Sequence, residues 1–440
     1  MKFTINKFIF NVLCFASILL AASCTFDEQE NPNAPALEEI LDNASVSELN
    51  NLVSGIEATM RTGLGIQTTG SGTMARELYL FDADPRNTSD LLGEDGEDLD
   101  NNSFYTTQPF NARYVCIKNA NILMEALMNT ESVTEQEKEG YRGFAKTIIA
   151  YELIEVLKSY GQARVDVTDQ NDLGPFLDFD QAIIEVVRIL DEGLVHLENS
   201  GNIFRFPLAG FANFDTPDTF VQFNRATRAI ASLYAGNYSD VITDLENSFF
   251  DLNGNIFLGV QHVFSLGPGD ITNDLFKTPE QSGDQIIVHN SWINEADAGD
   301  IRVSRKARRR VVSEAKDNLN GTHETALYEE NTSPIDIIRN EELILVYAEA
   351  KIRTNELADA LEALNIIRDK SGGLPAYDGV QTSEALTAEL LKQRRYSLWC
   401  ENHRMFDLRR YDLSDTLPID REGDQIFNVL PIPFSENVNQ

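Results

Sequence analysis

The chain has 440 residues and a formal net charge of −34, with 70 acidic against 36 basic side chains and only four cysteines. That charge repels phosphate backbones and anionic lipid, which argues against nucleic acid as a partner. Four cysteines cannot make a disulfide scaffold of a chain this long, whereas its length and 42% hydrophobic content suffice to bury a large core.

Residues 1–23 carry Lys2 and Lys7 ahead of an apolar run from Phe8 to Ala22, broken only by Asn11 and the small Cys14 and Ser17. A run this short behind basic residues reads as a secretory signal, not a membrane span. It ends Leu20-Ala21-Ala22-Ser23-Cys24, a lipobox-like pattern that makes Cys24 the expected lipidated residue. Cleavage by an ordinary signal peptidase would instead leave Cys24 a free thiol. Residues 24–36 form the expected tether, with Asp27, Glu28 and Glu30 before Asn31-Pro32-Asn33-Ala34-Pro35. Loss of Lys2 and Lys7 with the leader makes the remainder more negative still.

From residue 37 onward helical periodicity recurs. Leu49, Leu52, Ile56 and Met60 share one face, as do Tyr141, Phe144, Ile148 and Tyr151, and Ile183, Val187, Leu190, Leu194 and Leu197. Two helices flank Ala235-Gly236-Asn237-Tyr238, and two flank Thr354-Asn355-Glu356-Leu357. Short polar turns between amphipathic helices make hairpins, and repeated hairpins stack. The predicted fold is mainly α, a tetratricopeptide-like solenoid of about four units over 37–250 and 335–410. A loop-rich lobe is expected at about 251–334 and an extended tail at 411–440. Residues 62–110, 200–220 and 252–334 hold no sustained helical period, and loops this long are usually functional or disordered. Cys116 and Cys400, each placed on an apolar helix, read as isolated buried thiols.

The chemistry of the chain points to binding. It contains no HExxH, GxSxG, GxxxxGK[ST], GxGxxG or CxxC, and its five histidines lack ligand spacing; no enzyme and no cofactor are predicted, with a surface glycoside hydrolase as the weaker alternative, since two carboxylates that meet only in space leave no motif. The acidic loop 93–102 reads as solvated or as a calcium loop without EF-hand spacing. Arg302, Arg305, Lys306, Arg308, Arg309 and Arg310 form the one basic cluster, either a solvated face or a contact for an acidic partner. A sugar site needs aromatic platforms beside amide and carboxylate groups. The loop residues of that kind are Tyr79, Phe81, Phe104, Tyr105 and Trp292, with Asp82, Asn290 and Asn294; each taken singly reads more readily as core than as ligand-binding. The phenylalanines 204, 206, 211, 214 and 220 read as packing residues.

The C-terminal stretch is the most specific. Residues 393–410 run Q-R-R-Y-S-L-W-C-E-N-H-R-M-F-D-L-R-R, followed by Leu430-Pro431-Ile432-Pro433, which cannot be helical. This resembles the signature of the SusD/RagB family of Bacteroidetes surface lipoproteins, E-R-R-x-E-L-x-F-E-G-x-R-W-F-D-L-R-R and later L-P-I-P-x-x-E. Gln393, Ser397 and Asn402 are among the departures from it; Asn402 tolerates the left-handed backbone of the family's Gly, so the turn is expected to survive. Residues 338–350 and 360–368, the Tyr160-Gly161 turn and Asp300-Ile301-Arg302 resemble further family elements. The Arg and acidic residues of 393–410 read as a packed ion-pair network holding the tail. The resemblance implies a SusD-like domain over 37–440, with its ligand surface on loops opposite the helical spine. It implies capture of an oligosaccharide, or in the RagB manner a peptide, for a SusC-like TonB-dependent transporter on which the protein sits as a lid. It also implies a lipid anchor at the outer membrane, because acidic residues behind the lipidated cysteine resemble the family's surface-export signal.

Overall fold

The structure is a computed structural model that describes residues 37–169 and 171–437. The leader, Cys24 and the tether lie outside the described residues. Helix boundaries follow local capping chemistry. Ser45 separates α1 (Leu37–Asn43) from α2 (Val46–Met60); its hydroxyl accepts from the Glu48 N–H at 3.3 Å, and the Glu48 carboxylate accepts from the Ser45 N–H at 2.8 Å. Next come α3 (Leu64–Met74), β1 (Leu78–Phe81), α4 (Ser89–Leu92) and the long α5 (Phe104–Asn129). α6 (Glu135–Tyr160) repeats the reciprocal cap with Thr134 and Glu137, and ends at Gly161 with φ 70°, the left-handed stop that glycine adopts without a Cβ penalty. β2 (Gln162–Arg164), β3 (Phe176–Asp178), α7 (Phe179–Asn199), α8 (Pro217–Tyr234) and α9 (Tyr238–Glu246) complete the first half.

The second half begins with β4 (Gly259–His262), β5 (Gln285–Val288), α10 (Asn290–Asn294), α11 (Ile301–Lys306), β6 (Ala307–Lys316), β7 (Leu319–Thr325) and β8 (Ile335–Arg339). The last helices are α12 (Asn340–Arg353), α13 (Leu357–Lys370), α14 (Ser383–Ser397) and α15 (Arg404–Arg410), before an extended tail closed by α16 (Phe434–Asn437). α2 packs with α5, α6 with α7, α8 with α9 and α12 with α13, each pair against the next, and α14 finishes the row. This is the mainly helical, tetratricopeptide-like stack of about four units that periodicity predicts. One apolar core runs from α2 through α9, and a second lies under α12–α14.

Two of the irregular regions contain regular structure that periodicity does not reveal. α3 reads LGIQTTGSGTM and is buried on nearly every side, so it has no polar face and no stripe to detect. Within 252–334 the short strands build an antiparallel sheet in the order β1-β5-β7-β6, with β4 and β8 paired separately. β1 comes from more than two hundred positions upstream, pairing Leu78 with Val288 and Tyr79 with Ile287. The β6–β7 hairpin turns on Asp317 and Asn318, both at positive φ (52° and 59°), the backbone that a two-residue type I′ turn requires. In the third region Phe204, Phe206, Phe211 and Phe220 are buried against one another, with the Phe204 and Phe206 rings stacked at 4.6 Å, and Phe214 is buried against Phe249 at 4.9 Å.

Candidate functional site

Three parts of the chain bear on function: the C-terminal clasp, the residues expected to hold ligand, and one of the surface grooves, near the end of α2. The clasp begins where α14 ends. Cys400 and Asn402 take positive φ (64° and 57°), so the chain reverses into α15 through the turn Asn402 was expected to permit; Cys400 therefore sits in this turn and not on a helix. The reversal places the Arg394 Nε 2.7 Å from the Asp407 carboxylate, and Arg410 donates to the other Asp407 oxygen at 3.0 Å. Burial opposes ionisation of Asp407, but the Arg394 and Arg410 guanidiniums outweigh it and hold its pKa below the ordinary carboxylate value. Arg410 also pairs with Glu349 on α12, and Arg339 with Glu341 and Glu401. Arg409 donates to the Leu157 and Asn428 carbonyls, and the Leu430 N–H to the Ser159 carbonyl at 2.8 Å, which lays the tail along the end of α6. Further on, Arg421 spans Asp424, Asp317 and the Thr88 carbonyl, tying tail, hairpin and first loop together. The network is structural.

The aromatic residues expected to stack on a ligand are core residues. Trp292 is 0% exposed; its indole N–H donates to the Arg395 carbonyl at 3.3 Å, and its ring lies 5.2 Å from Trp399. Tyr79 and Phe81 are buried on β1 with their rings stacked at 5.5 Å, and the Tyr105 hydroxyl donates to Asp90 at 3.1 Å beneath the surface. Each is short of the exposed face a sugar would need. Of the polar partners, Asp82 is half-buried and accepts from the Asn87 amide at 2.9 Å, while Asn290 donates to the Asn320 carbonyl at 3.0 Å. Phe104 is half-buried under the Arg86 guanidinium, and Asn294 is exposed. The basic cluster also dissolves: Arg302, Lys306 and Arg310 are buried, Arg302 paired with Asp300 at 2.6 Å and Arg310 with Glu324 at 2.5 Å. Glu94 of the acidic loop pairs with Arg421 at 3.2 Å. Among the described residues, no group of three or more His, Cys, Asp or Glu side chains is placed to hold a metal ion.

A groove of about 240 Å³ lies where the end of α2, the 209–211 loop and the segment after β4 meet. Its floor is apolar, built from Met60, Phe211 and Ile337. Glu57 holds one wall by accepting from the Gly210 N–H at 2.9 Å and the Ala209 N–H at 3.3 Å. Burial pushes the Glu57 pKa up, opposed by those two donors and by Arg61. Arg61 holds the other wall, pairing with Asp270 at 2.6 Å and donating to the Val263 carbonyl. Asp270 also accepts from Ser265 at 2.7 Å. Gln261 and His262 complete the lining. Both carboxylates are already engaged, so the groove offers hydrogen-bonding surface and an apolar floor with no free acid and base pair. Beside it the chain exposes Val263, Leu266 and Ile271. Residues 200–220 and 252–334 are legible as loops, but Glu57 and Arg61 read as ordinary outward positions of an amphipathic helix, and nothing in the sequence brings them to this groove.

Residues 277–431 match the family model described as the SusD family. The fold neighbours agree. Surface glycan-binding protein A from Bacteroides thetaiotaomicron superposes with a TM-score of 0.70 at 14% identity, covering 91% of this chain and 98% of that one. A SusD superfamily protein from Parabacteroides distasonis gives 0.66 at 16% identity, covering 92% and 98%. A SusD-like carbohydrate binding protein from Bacteroides vulgatus gives 0.60 at 13% identity, covering 83% of each chain. No curated protein matches by sequence. Residues 277–431 thus carry the SusD family's sequence, and the described body as a whole has the SusD fold. Among the described residues no helix is long and apolar enough to cross a membrane.

Proposed function

We propose that this protein captures a nutrient at the cell surface and hands it to a SusC-like TonB-dependent outer-membrane transporter, with an oligosaccharide as the first-choice cargo. The observation that supports this reading is the SusD-family match of residues 277–431. Transfer of function from a shared fold is an analogy, and the groove supplies the local chemistry for it. Ligand hydroxyls would meet Gln261, Ser265 and the backbone of 209–211, while the apolar floor takes a sugar face. No bond is broken. Cys24 would carry the lipid that holds the protein at the outer membrane.

One observation favours peptide cargo as a second reading. Among the described residues the exposed aromatics are Phe257 and Phe434, with no exposed Trp or Tyr, whereas Val263, Leu266 and Ile271 offer aliphatic contacts beside the groove. Calorimetry with a neutral glycan panel against a peptide mixture separates the two. Binding that weakens at least tenfold in Glu57→Ala, with folding intact, assigns the cargo to this groove; cargo that binds the variant as tightly as the parent places it elsewhere. Recovery of a barrel partner by pulldown from outer membranes tests the transporter, and recovery of none removes it.

A further inference from the structure

Behind the groove lies a second, smaller space. A cavity of about 50 Å³ is lined by α3, α6, α8, β4, β8, the start of α12 and the 400–403 turn. Glu155 occupies one side, accepting from Lys158 at 2.8 Å, from the Gln67 amide at 3.2 Å and from the Asn402 amide at 2.9 Å. Three further atoms around the cavity find no hydrogen-bond partner among the described residues: Gln67 Oε1, His262 Nε2 and His403 Nδ1. Their side chains belong to residues 3%, 4% and 7% exposed, so bulk solvent does not reach them. Buried polar atoms are nearly always satisfied, and three orphans around one polar cavity call for a guest that bonds to all of them.

The walls decide what that guest is. Lys158 and Glu155 neutralise each other. Burial keeps His262 neutral by pushing its pKa down to about 3, does the same more strongly to His403, and pushes Glu342 up to about 7. The other two carboxylates of the lining, Asp336 and Glu401, share the Arg339 guanidinium, so these charges are paired as well, and among the described residues no metal-ligating group is in place. A single water needs roughly 10–15 Å³ of such space, so the volume accommodates about three to five.

We propose that this chamber is an internal hydration site, holding a cluster of about three to five ordered waters that bridge Gln67, His262 and His403 and so join α3 and β4 to the turn of the C-terminal clasp. His262 and Ile337 line both the chamber and the groove, so the cluster lies one side chain behind the groove wall. The inference does not depend on what the groove carries.

A crystal structure of the protein, at a resolution that shows ordered water, tests it. The expected result is density for bridging waters within hydrogen-bond distance of Gln67 Oε1, His262 Nε2 and His403 Nδ1. Oxygen-17 relaxation dispersion in solution should count long-lived waters, and Gln67→Leu should lower that count by at least one. A dry chamber, a Lys158 ammonium moved onto Gln67 Oε1, or a guest with anomalous scattering each overturns the proposal. So does an unchanged count in a folded Gln67→Leu.

Discussion

The Arg394 guanidinium and the Asp407 carboxylate meet at 2.7 Å with both side chains sealed from solvent, one at the end of α14 and the other in α15. Removing one member of such a pair leaves the other charged and unpaired in the interior. Asp407→Ala should therefore cost about 3–5 kcal/mol in urea unfolding, and Arg394→Met with Asp407→Leu should cost less than that single change. The pH dependence has a definite sign. Arg394 and Arg410, working against burial, hold the folded pKa of Asp407 below its unfolded value, so its contribution is present above the unfolded pKa and is lost as pH falls through the folded one. Acid unfolding of Asp407→Asn should show a shallower slope in that window.

Glu77 behaves in the opposite way. Its carboxyl is buried beside the sheet, and burial raises its pKa to about 8 against the pull of Arg404, Arg395 and Lys306. The folded state then binds a proton more tightly than the unfolded one, so stability declines as pH rises from the ordinary carboxylate value through about 8. Glu77→Gln should flatten that decline, raising the melting temperature at pH 9 while changing it little at pH 4. Parallel curves for the two proteins would refute the assignment.

Trp292 and Trp399 are the only tryptophans in the chain, and both are fully buried. Intrinsic fluorescence should accordingly be blue-shifted and unmoved by cargo that binds at the groove. Trp292→Ala should cost about 3–5 kcal/mol of stability, the usual loss for deleting a buried aromatic side chain. A ligand-dependent quench in the parent, absent in Trp292→Phe, would restore this residue to the binding surface.

Charge should select among cargoes. The chain carries −34, and buried cations such as Arg302, Lys306 and Arg310 are taken up by internal partners. Sulfated or uronate-bearing oligosaccharides should bind more weakly than neutral ones of the same length, with the difference narrowing between low and physiological salt. Tighter binding of the anionic series would contradict this.

The comparison of Asn402 with Trp292 shows which features could be foreseen. Asn402 stands in a contiguous pattern that resembles the family's, where Gly occupies its place, and Asn tolerates the left-handed backbone it takes. Local periodicity likewise announces the helix pairs of the stack. Trp292 gave no such signal. It lies in a five-residue helix after a four-residue strand, and what buries it is Tyr396 and Trp399, about a hundred positions away. Tyr79 is likewise covered through contacts with Phe81 and His289, the second reached only across the β1–β5 pairing.

The amino-acid order by itself determined the helical periods, the capped ends, the charged C-terminal pattern and the non-helical Leu-Pro-Ile-Pro tail, because each depends on side chains a few positions apart. The tertiary structure alone decided which aromatics face solvent, which arginines remain free, and that Glu57, Gly210 and Asp270 share one groove. Burial and long-range pairing are properties of the packed chain, set by residues that local order leaves far apart.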